Sequence, residues 1–311
     1  MNPPSTSFIR SLLRRTGICA FAASFLTTLI IREPVFADDL VIEAVTFNIR
    51  FANPDDGPNA WEHRSSIASD LIRRLDPDIL GVQEALASQI RDLEAALPHL
   101  SREGVGRDDG LEAGEFSPIF YRNDRFQRIE GGTFWLSGTP EEAGSNTWGA
   151  ACVRICTWLL LEDKATQRRF AVYNAHFDHQ AAAARARSAR LIAQTIVKRG
   201  HHEIPYLILG DLNATPDDAP LRFLIGDGAI IEPDGPLETS PLPLRNTLQG
   251  PDAGQRRTFN GWRGGTTGEQ IDYILAPPFA RVLGSAIIRS NTGGRFPSDH
   301  YPVSATLAFS P

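Results

Sequence analysis

Cysteine is scarce, three among 311 residues, which excludes a dense disulfide framework as the source of stability. Cys19 lies in the N-terminal segment, and Cys152 and Cys156 fall within "ACVRICTWLLL", which reads as a buried strand. Four residues along a strand separate Cα atoms by about 13 Å, whereas a disulfide bridges less than about 7 Å. Two buried free thiols are therefore expected, since the spacing suits neither a metal nor a redox pair. Zinc-type His and Cys spacing is missing as well: His201-His202 sits on a polar turn and reads as exposed loop.

Clustered positive charge is also lacking. The chain carries 31 Lys and Arg against 37 Asp and Glu. Without the first 37 residues, which hold four Arg and one Glu, 27 basic and 36 acidic side chains remain, a formal charge of about −9. Binding along a phosphate backbone leans on grouped Lys and Arg, so nucleic acid is a disfavoured partner, although an exported nuclease need not be basic. No exposed aromatic hairpin or basic amphipathic segment offers to dock on a membrane. There is no repeat, no low-complexity linker and no break in composition, so residues 38–311 read as one domain, expected to be monomeric. About 274 residues suffice for one large core.

The first 37 residues read as an export leader. Arg10, Arg14 and Arg15 form a basic start, Gly17 to Ile31 an apolar run, and Val35-Phe36-Ala37 a cleavage site of small residues. The run falls short of the roughly 20 residues of a spanning helix. The expected location is periplasmic or secreted, with no stable membrane insertion once the leader is cleaved; an uncleaved anchor is the alternative. Arg14-Arg15 match a twin-arginine pair, but the Thr-Gly-Ile-Cys that follows departs from that signal.

Strand-length β-rich runs alternate with helical patterns. "LVIEAVTFNI" from Leu40, "DILGVQE" from Asp78, "SPIFY" from Ser117, "CVRICTWLLL", "RFAVYNAHF" from Arg169, "PYLILGD" from Pro205 and "QIDYILA" from Gln270 read as strands. Ile67, Leu71, Ile72 and Leu75 recur at helical spacing, as do Leu86, Ile90, Leu93 and Leu97. A third helix spans Ala181 to Lys198, with Leu191, Ile192 and Ile196 buried. Several strands are apolar throughout, which suits sheets covered on both faces. Residues 211 to 268 read as a loop-rich cover over one end of the sheets.

Polar residues collect at strand ends, where a rigid sheet can hold functional groups. Asn48 ends the first strand and Glu84 the second; Asn174 and His176 end the fifth, Asp211 and Asn213 follow the sixth, and Asp272 opens the seventh. Each alone has a bland reading: an Asx turn for Asp211 and Asn213, a helix N-terminal carboxylate for Glu84, a satisfied core histidine for His176. Their joint occurrence favours chemistry. An oxygen-rich set of Asn48, Glu84 and Asp299 suits Mg²⁺ or Mn²⁺ better than zinc. In "FPSDHYP", neighbours Asp299 and His300 point opposite ways on an extended segment, so each needs a partner elsewhere.

"TFNIR", "VQEA", "YNAHFDH", "LGDLNATP", "IDYIL" and "PSDHYPV", in this order, resemble the endonuclease/exonuclease/phosphatase superfamily with the DNase I-like fold. The resemblance spans Leu40 to Phe309 and, through "FNIRFANPDDGPNAWEHR", "GVGRDDGLEAGEFSPIFYR" and "GTFWLSGTP", points to a bacterial, often exported, subfamily. It implies an α/β, four-layer sandwich with two central mixed β-sheets flanked by helices, and a phosphoester-cleaving site at one end. It implies that Asn48 and Glu84 bind the metal, Glu84 chiefly, with Asp299 near metal and nucleophile. Asp211 then orients or deprotonates water, Asn213 holds phosphate and nucleophile, and His176 donates to a phosphate oxygen. His300 stands beside the phosphate, oriented by Asp272. Whether a second metal sits by Asp211 and Asn213, with Asp217 and Asp218 in reserve, stays open.

Substrate choice falls to the loops. Asp55, Asp56, Asp108, Asp109, Glu112 and Glu115 could hydrogen-bond sugar hydroxyls or merely solvate a surface, and Phe116, Trp135 and Trp262 could stack on a ring or fill core. Arg122, Arg154 and Arg185 are candidate phosphate clamps, Arg154 being equally readable as a core ion-pair partner; Tyr121 and Asn174 complete the expected substrate-binding set. The leading expectation is a phosphodiesterase acting by in-line water attack on a small or glycan-linked phosphoester. A secreted endo- or exonuclease, a sugar or inositol phosphate monoesterase, and a catalytically silent binding module are the alternatives.

Overall fold

A computed structural model describes residues 36, 38–231, 237–248 and 254–311. The expected leader, with Arg10, Arg14, Arg15 and Cys19, lies outside the described residues apart from Phe36. In chain order the elements are β1 (Leu40–Asn48), α1 (Trp61–Leu75), β2 (Ile79–Gln83), α2 (Ala87–Ala96), β3 (Leu100–Glu103), β4 (Ile119–Arg122), β5 (Phe126–Trp135), β6 (Ile155–Asp163) and β7 (Arg169–His176). Then come α3 (Ala182–Lys198), β8 (Tyr206–Asp211), α4 (Ala219–Leu224), the ribbon β9 (Ala229–Ile231) and β10 (Leu237–Thr239), β11 (Arg245–Asn246), β12 (Asp272–Ala276), β13 (Arg281–Ile287) and β14 (Val303–Phe309).

Two six-stranded sheets result, ordered β13-β14-β1-β2-β4-β3 and β11-β12-β8-β7-β6-β5. Leu40, Ile42 and Ala44 of β1 meet Val172, Leu207 and Leu209 of the other sheet in a shared apolar layer. Phe47, Leu80 and Val82 face outward onto Ala68 and Ile72 of α1 and Ile90 and Leu93 of α2. Tyr173 and Ile208 pack against Ala189, Ile192 and Ile196 of α3 and Leu221 and Phe223 of α4. Both faces of each sheet are thus covered, which is why β2, β8 and β12 are buried along their whole length. Glu33–Pro311 forms one compact unit, the four-layer sandwich that the motifs imply. No helix among the described residues is long and apolar enough to cross a membrane.

Strand direction decides which residues meet. β1 runs parallel to β2 with Asn48 opposite Gln83, and β7 runs parallel to β8 with His176 opposite Asp211. The carboxyl ends of both pairs therefore lie at the same end of their sheets. β12 is antiparallel to β8, with Asp272 opposite Asp211, and β14 is antiparallel to β1, so their beginnings return to those ends. Gly210 permits the β7–β8 approach: its φ is +151° and a Cβ there would stand 2.0 Å from the Ala175 carbonyl oxygen.

Strands β3, β5, β9, β10, β11, β13 and β14 are absent from the sequence-based expectation, and β9 to β11 with α4 lie in the stretch expected to be loop-rich. β5 carries Glu130-Gly131-Gly132 at its centre and edges its sheet with only three of its ten residues buried, which hides the apolar signal. The expected strand from Cys152 begins only at Ile155. Cys156 is buried and Cys152 half-buried, both free.

Candidate functional site

Asn48 links the two sheets. Its amide nitrogen donates to Glu84 Oε1 and to Asp211 Oδ2, each at 2.9 Å, while its oxygen accepts the Arg50 backbone N–H at 3.0 Å. Glu84 leaves β2 in the left-handed region, φ 64°, and its Oε2 accepts from Phe51 N at 3.2 Å. Gln89, at the start of α2, bonds Ala52 N and the Arg50 carbonyl, fixing the loop behind Asn48.

The second sheet supplies Asp211, whose Oδ1 accepts Asn213 N at 3.0 Å. Its Oδ2 lies 3.7 Å from His176 Nε2 and 3.8 Å from His300 Nε2. Asn213, also left-handed at φ 44°, donates from Nδ2 to the Phe177 carbonyl and stands 3.0 Å from His176 Nε2. His300 Nδ1 sits 3.0 and 3.2 Å from the two Asp272 oxygens. Ser298 Oγ donates to the Asn48 carbonyl at 2.7 Å and accepts from His300 N, tying the final loop to β1.

Burial and charge set the protonation states. Burial raises the Asp211 carboxyl, the neighbouring Asp272 charge raises it further, and the result is a pKa of about 7. Burial alone would lower His300, but Asp272, Asp211 and Asp299 outweigh it and hold the imidazole well above its ordinary value. His176 goes the other way: burial first, then Arg154 and Arg107, lower it well below the ordinary value. With Nε2 accepting from Asn213, neutral His176 carries its proton on Nδ1, which has no hydrogen-bond partner and lies 3.9 Å from Glu115 Oε2. Burial also raises Asp299 and Glu115, and the charge of Glu84 adds to both shifts.

Glu84, Glu115, His176, Asp211, Asn213, Asp299 and His300 line a cleft of about 590 Å³, with Arg50, Phe51, Arg154, His179, Phe259 and Ile271 around them. A hollow of about 640 Å³ between Glu130 and Leu191 of α3 is larger, but none of the strand-end residues reaches it. Two groups in the cleft could hold a metal ion: Glu84, His176 and Asp211, and Asp211, Asp272 and His300. The first fits a hard cation better, because His300 is committed to Asp272 and the carboxylates of Glu84 and Asp211 are crowded together through one shared amide. Of the expected metal set, Glu84 belongs to that group. Asp299 lines the cleft with Ser298 Oγ 3.2 Å away, and Asn48 turns its nitrogen, not its oxygen, toward the acids.

The structure corrects the expected substrate-binding set. Asn174 is fully buried between the sheets, donating to the Val82 and Pro118 carbonyls and accepting from Gln83. Tyr121 packs in the same apolar layer, paired across the sheet with Ile79 at the opposite end of β2 from Glu84. Arg185 bonds the Asp178 carbonyl and is not among the residues lining the cleft. Arg122 is held by Asp124 and Asp76 at the surface. Phe116 and Trp135 are core, and Asp218 bonds Thr215 ahead of α4. Arg154 and Glu115 do reach the cleft.

Sequence reasoning missed Arg64, fully buried on α1, whose guanidinium bonds the carbonyls of Asn59, Ile49, Arg50 and Pro297 between the rings of Trp61 and Trp262. It ties together the loops after β1 and before β14. Its only signal was an arginine at an inward position of an amphipathic helix. Ser298 and Gln89 were missed because their partners Asn48 and Ala52 are remote in sequence, 250 and 37 residues away.

Residues 45–300 match the endonuclease/exonuclease/phosphatase family. An endonuclease/exonuclease/phosphatase from Bacteroides vulgatus is 34% identical, covering 86% of this chain and 98% of its own, with a TM-score of 0.77. A family protein from Bacteroides thetaiotaomicron is 30% identical over 88% of this chain and 99% of its own, TM-score 0.78. The mannosyl-6-phosphatase of Bacteroides thetaiotaomicron VPI-5482 is 31% identical over 86% and 100%, TM-score 0.74. An uncharacterized protein of Acanthamoeba polyphaga mimivirus is 29% identical across 117 residues, which make up 32% of this chain but only 17% of that protein. With its motifs gathered at one end of paired sheets and a family match across most of its length, the chain belongs to the endonuclease/exonuclease/phosphatase family.

Proposed function

We propose that the protein is a Mg²⁺- or Mn²⁺-dependent phosphoester hydrolase acting on a small or glycan-linked phosphate, a sugar phosphate monoester first. The observation that carries the chemistry is the buried Asp211 carboxylate, held 3.7 Å from His176 Nε2 and 3.8 Å from His300 Nε2 where the two sheets meet. At neutral pH it can take a proton from water aligned by Asn213, and His300 donates toward a phosphoryl oxygen that gains charge. Asp272 keeps that proton on His300 and fixes the ring. A divalent cation beside Glu84 would add Lewis-acid stabilisation of the phosphoryl oxygens.

The acidic balance and the full-length likeness to a mannosyl-6-phosphatase support a sugar phosphate over nucleic acid. A phosphodiester is the second reading, because Phe51, Phe259 and Ile271 give the cleft an apolar wall for a second ester group. The N-terminal pattern supports action outside the cytoplasm.

The test is hydrolysis of mannose 6-phosphate, p-nitrophenyl phosphate, bis(p-nitrophenyl) phosphate and duplex DNA, with Mg²⁺, with Mn²⁺ and with EDTA. Metal-dependent turnover of the monoesters, abolished by EDTA and restored by either ion, is expected. Turnover of DNA above that of every small ester would sink the substrate reading, and turnover undiminished by EDTA would sink the metal.

A further inference from the structure

We propose that Arg154, braced by His179, is the arm of the cleft that recognises the second negative charge of a phosphomonoester and so selects terminal phosphates over diesters. This rests on the reading of the cleft as a phosphoester hydrolase site. Arg154 lines the cleft at 5% exposure, yet its Nε and Nη1 have no hydrogen-bond partner. Its Nη2 lies 3.0 Å from His179 Nδ1.

The obvious partner is committed elsewhere. Asp178 Oδ2 is 3.8 Å from Arg154 Nε, beyond hydrogen-bonding distance. Its oxygens accept instead from four backbone N–H groups: Ala151 and Cys152 on Oδ2, Gln180 and Ala181 on Oδ1. Asp178 thus shapes the loops around Arg154 without taking up the fork. The other arginine lining the cleft, Arg50, is held fork to fork by Asp56 at 2.9 and 3.0 Å. Arg107, behind Glu115, is bonded to that carboxylate at 2.7 Å.

A buried guanidinium with two idle donors is costly unless a ligand completes it. A planar fork pairs bidentately with two oxygens of one anion. The anion is near the reacting group, because Arg154 lines the same cleft as His176, Asp211 and His300. A monoester dianion brings one charge more than a diester and a third terminal oxygen. With the metal side and His300 facing two oxygens, a third is left for Arg154, which lines the same cleft. Both idle nitrogens are covered by protein at rest, so binding draws the fork toward the cleft, and no hydrogen bond to Asp178 has to break.

The experiment compares wild type with Arg154→Met, Arg154→Lys and His179→Ala on p-nitrophenyl phosphate and bis(p-nitrophenyl) phosphate at one metal concentration, alongside calorimetric titration with inorganic phosphate. Arg154→Met is expected to cut kcat/KM for the monoester about 100-fold, the scale of one to two charge-assisted hydrogen bonds. The diester should change less than about threefold, Arg154→Lys should recover part of the loss, and His179→Ala should show a smaller loss of the same selectivity. Equal losses on both esters, or none on the monoester, overturn the proposal. If wild type cleaves neither ester, the hydrolase reading fails and the phosphate titration decides separately. Phosphate binding weakened about tenfold or more in Arg154→Met and less in Arg154→Lys, with unfolding midpoints unchanged, retains the anion arm; equal binding in all variants overturns it.

Discussion

The two walls of the cleft are built alike and charged differently. Each sheet contributes a parallel pair whose carboxyl ends meet, Asn48 with Glu84 on one side and His176 with Asp211 on the other. Each wall also carries a histidine against Asp211, at 3.7 and 3.8 Å. His300 has a bonded carboxylate and keeps its proton; His176 has none bonded, only Asp211 and Glu115 at 3.7 and 3.9 Å, and with burial and the field of two arginines it stays neutral. The backbone topology therefore sets where the histidines stand, while their second neighbours set what each can do.

Asp211 is where the walls meet, so its loss should have the largest effect. Asp211→Ala is expected to lower kcat roughly a thousandfold with the fold intact, measured on p-nitrophenyl phosphate with metal present. Next comes His300→Gln, at roughly a hundredfold, against a clearly smaller cost for His176→Gln. Equal losses for the two would erase the asymmetry and mean that both serve as donors.

Away from the chemistry, Asn174→Ala should leave turnover per folded molecule unchanged and cost about 2 kcal/mol in denaturant unfolding, because the buried carbonyls of Val82 and Pro118 lose their donor. A selective rise in KM instead would restore Asn174 to substrate binding. Gly210→Ala should cost a similar amount, roughly 2 kcal/mol, and also impair turnover, since the clash with Ala175 displaces the strand ends that carry His176 and Asp211.

The smallest effect is on the pH dependence of stability. A histidine held above its ordinary pKa contributes stability that is complete below about pH 6.5 and lost as pH rises through its folded value; that is His300. A histidine held below it makes the folded state resist a proton that the unfolded chain accepts, so stability falls as pH drops from about 6.5; that is His176. In metal-free protein, His176→Gln should flatten the acid side of the stability profile and His300→Gln the alkaline side. Midpoints of urea unfolding across pH 5 to 9 would show the reverse if the two protonation states were exchanged.

Most elements near the site were legible because strand runs such as "LVIEAVTFNI" are apolar on both faces and end abruptly in polar residues. Among the hidden strands, β3 and β13 lie at sheet edges and β5 is an edge strand broken by glycine and charge, whereas β14 lies inside its sheet between β13 and β1 and nothing in its composition hides it. The ordered motifs named Glu84, His176, Asp211, Asn213, Asp272 and His300, and the structure brings these six together at one end of the sheets. Asn174 and Tyr121 misled because strand alternation in sequence does not say whether a polar side chain at a sheet end meets solvent or the opposing sheet.

The sequence by itself determined the family, the covered sheets and the set of acids, amides and histidines at strand ends, because each of these is written in local pattern and order. Only the tertiary structure decided that one Asn48 nitrogen bridges both sheets, that His176 and His300 differ in charge, and that Arg154 is buried with idle donors. Those are properties of partners that lie up to 163 residues apart, as for Asn48 and Asp211, and of burial that no short stretch encodes.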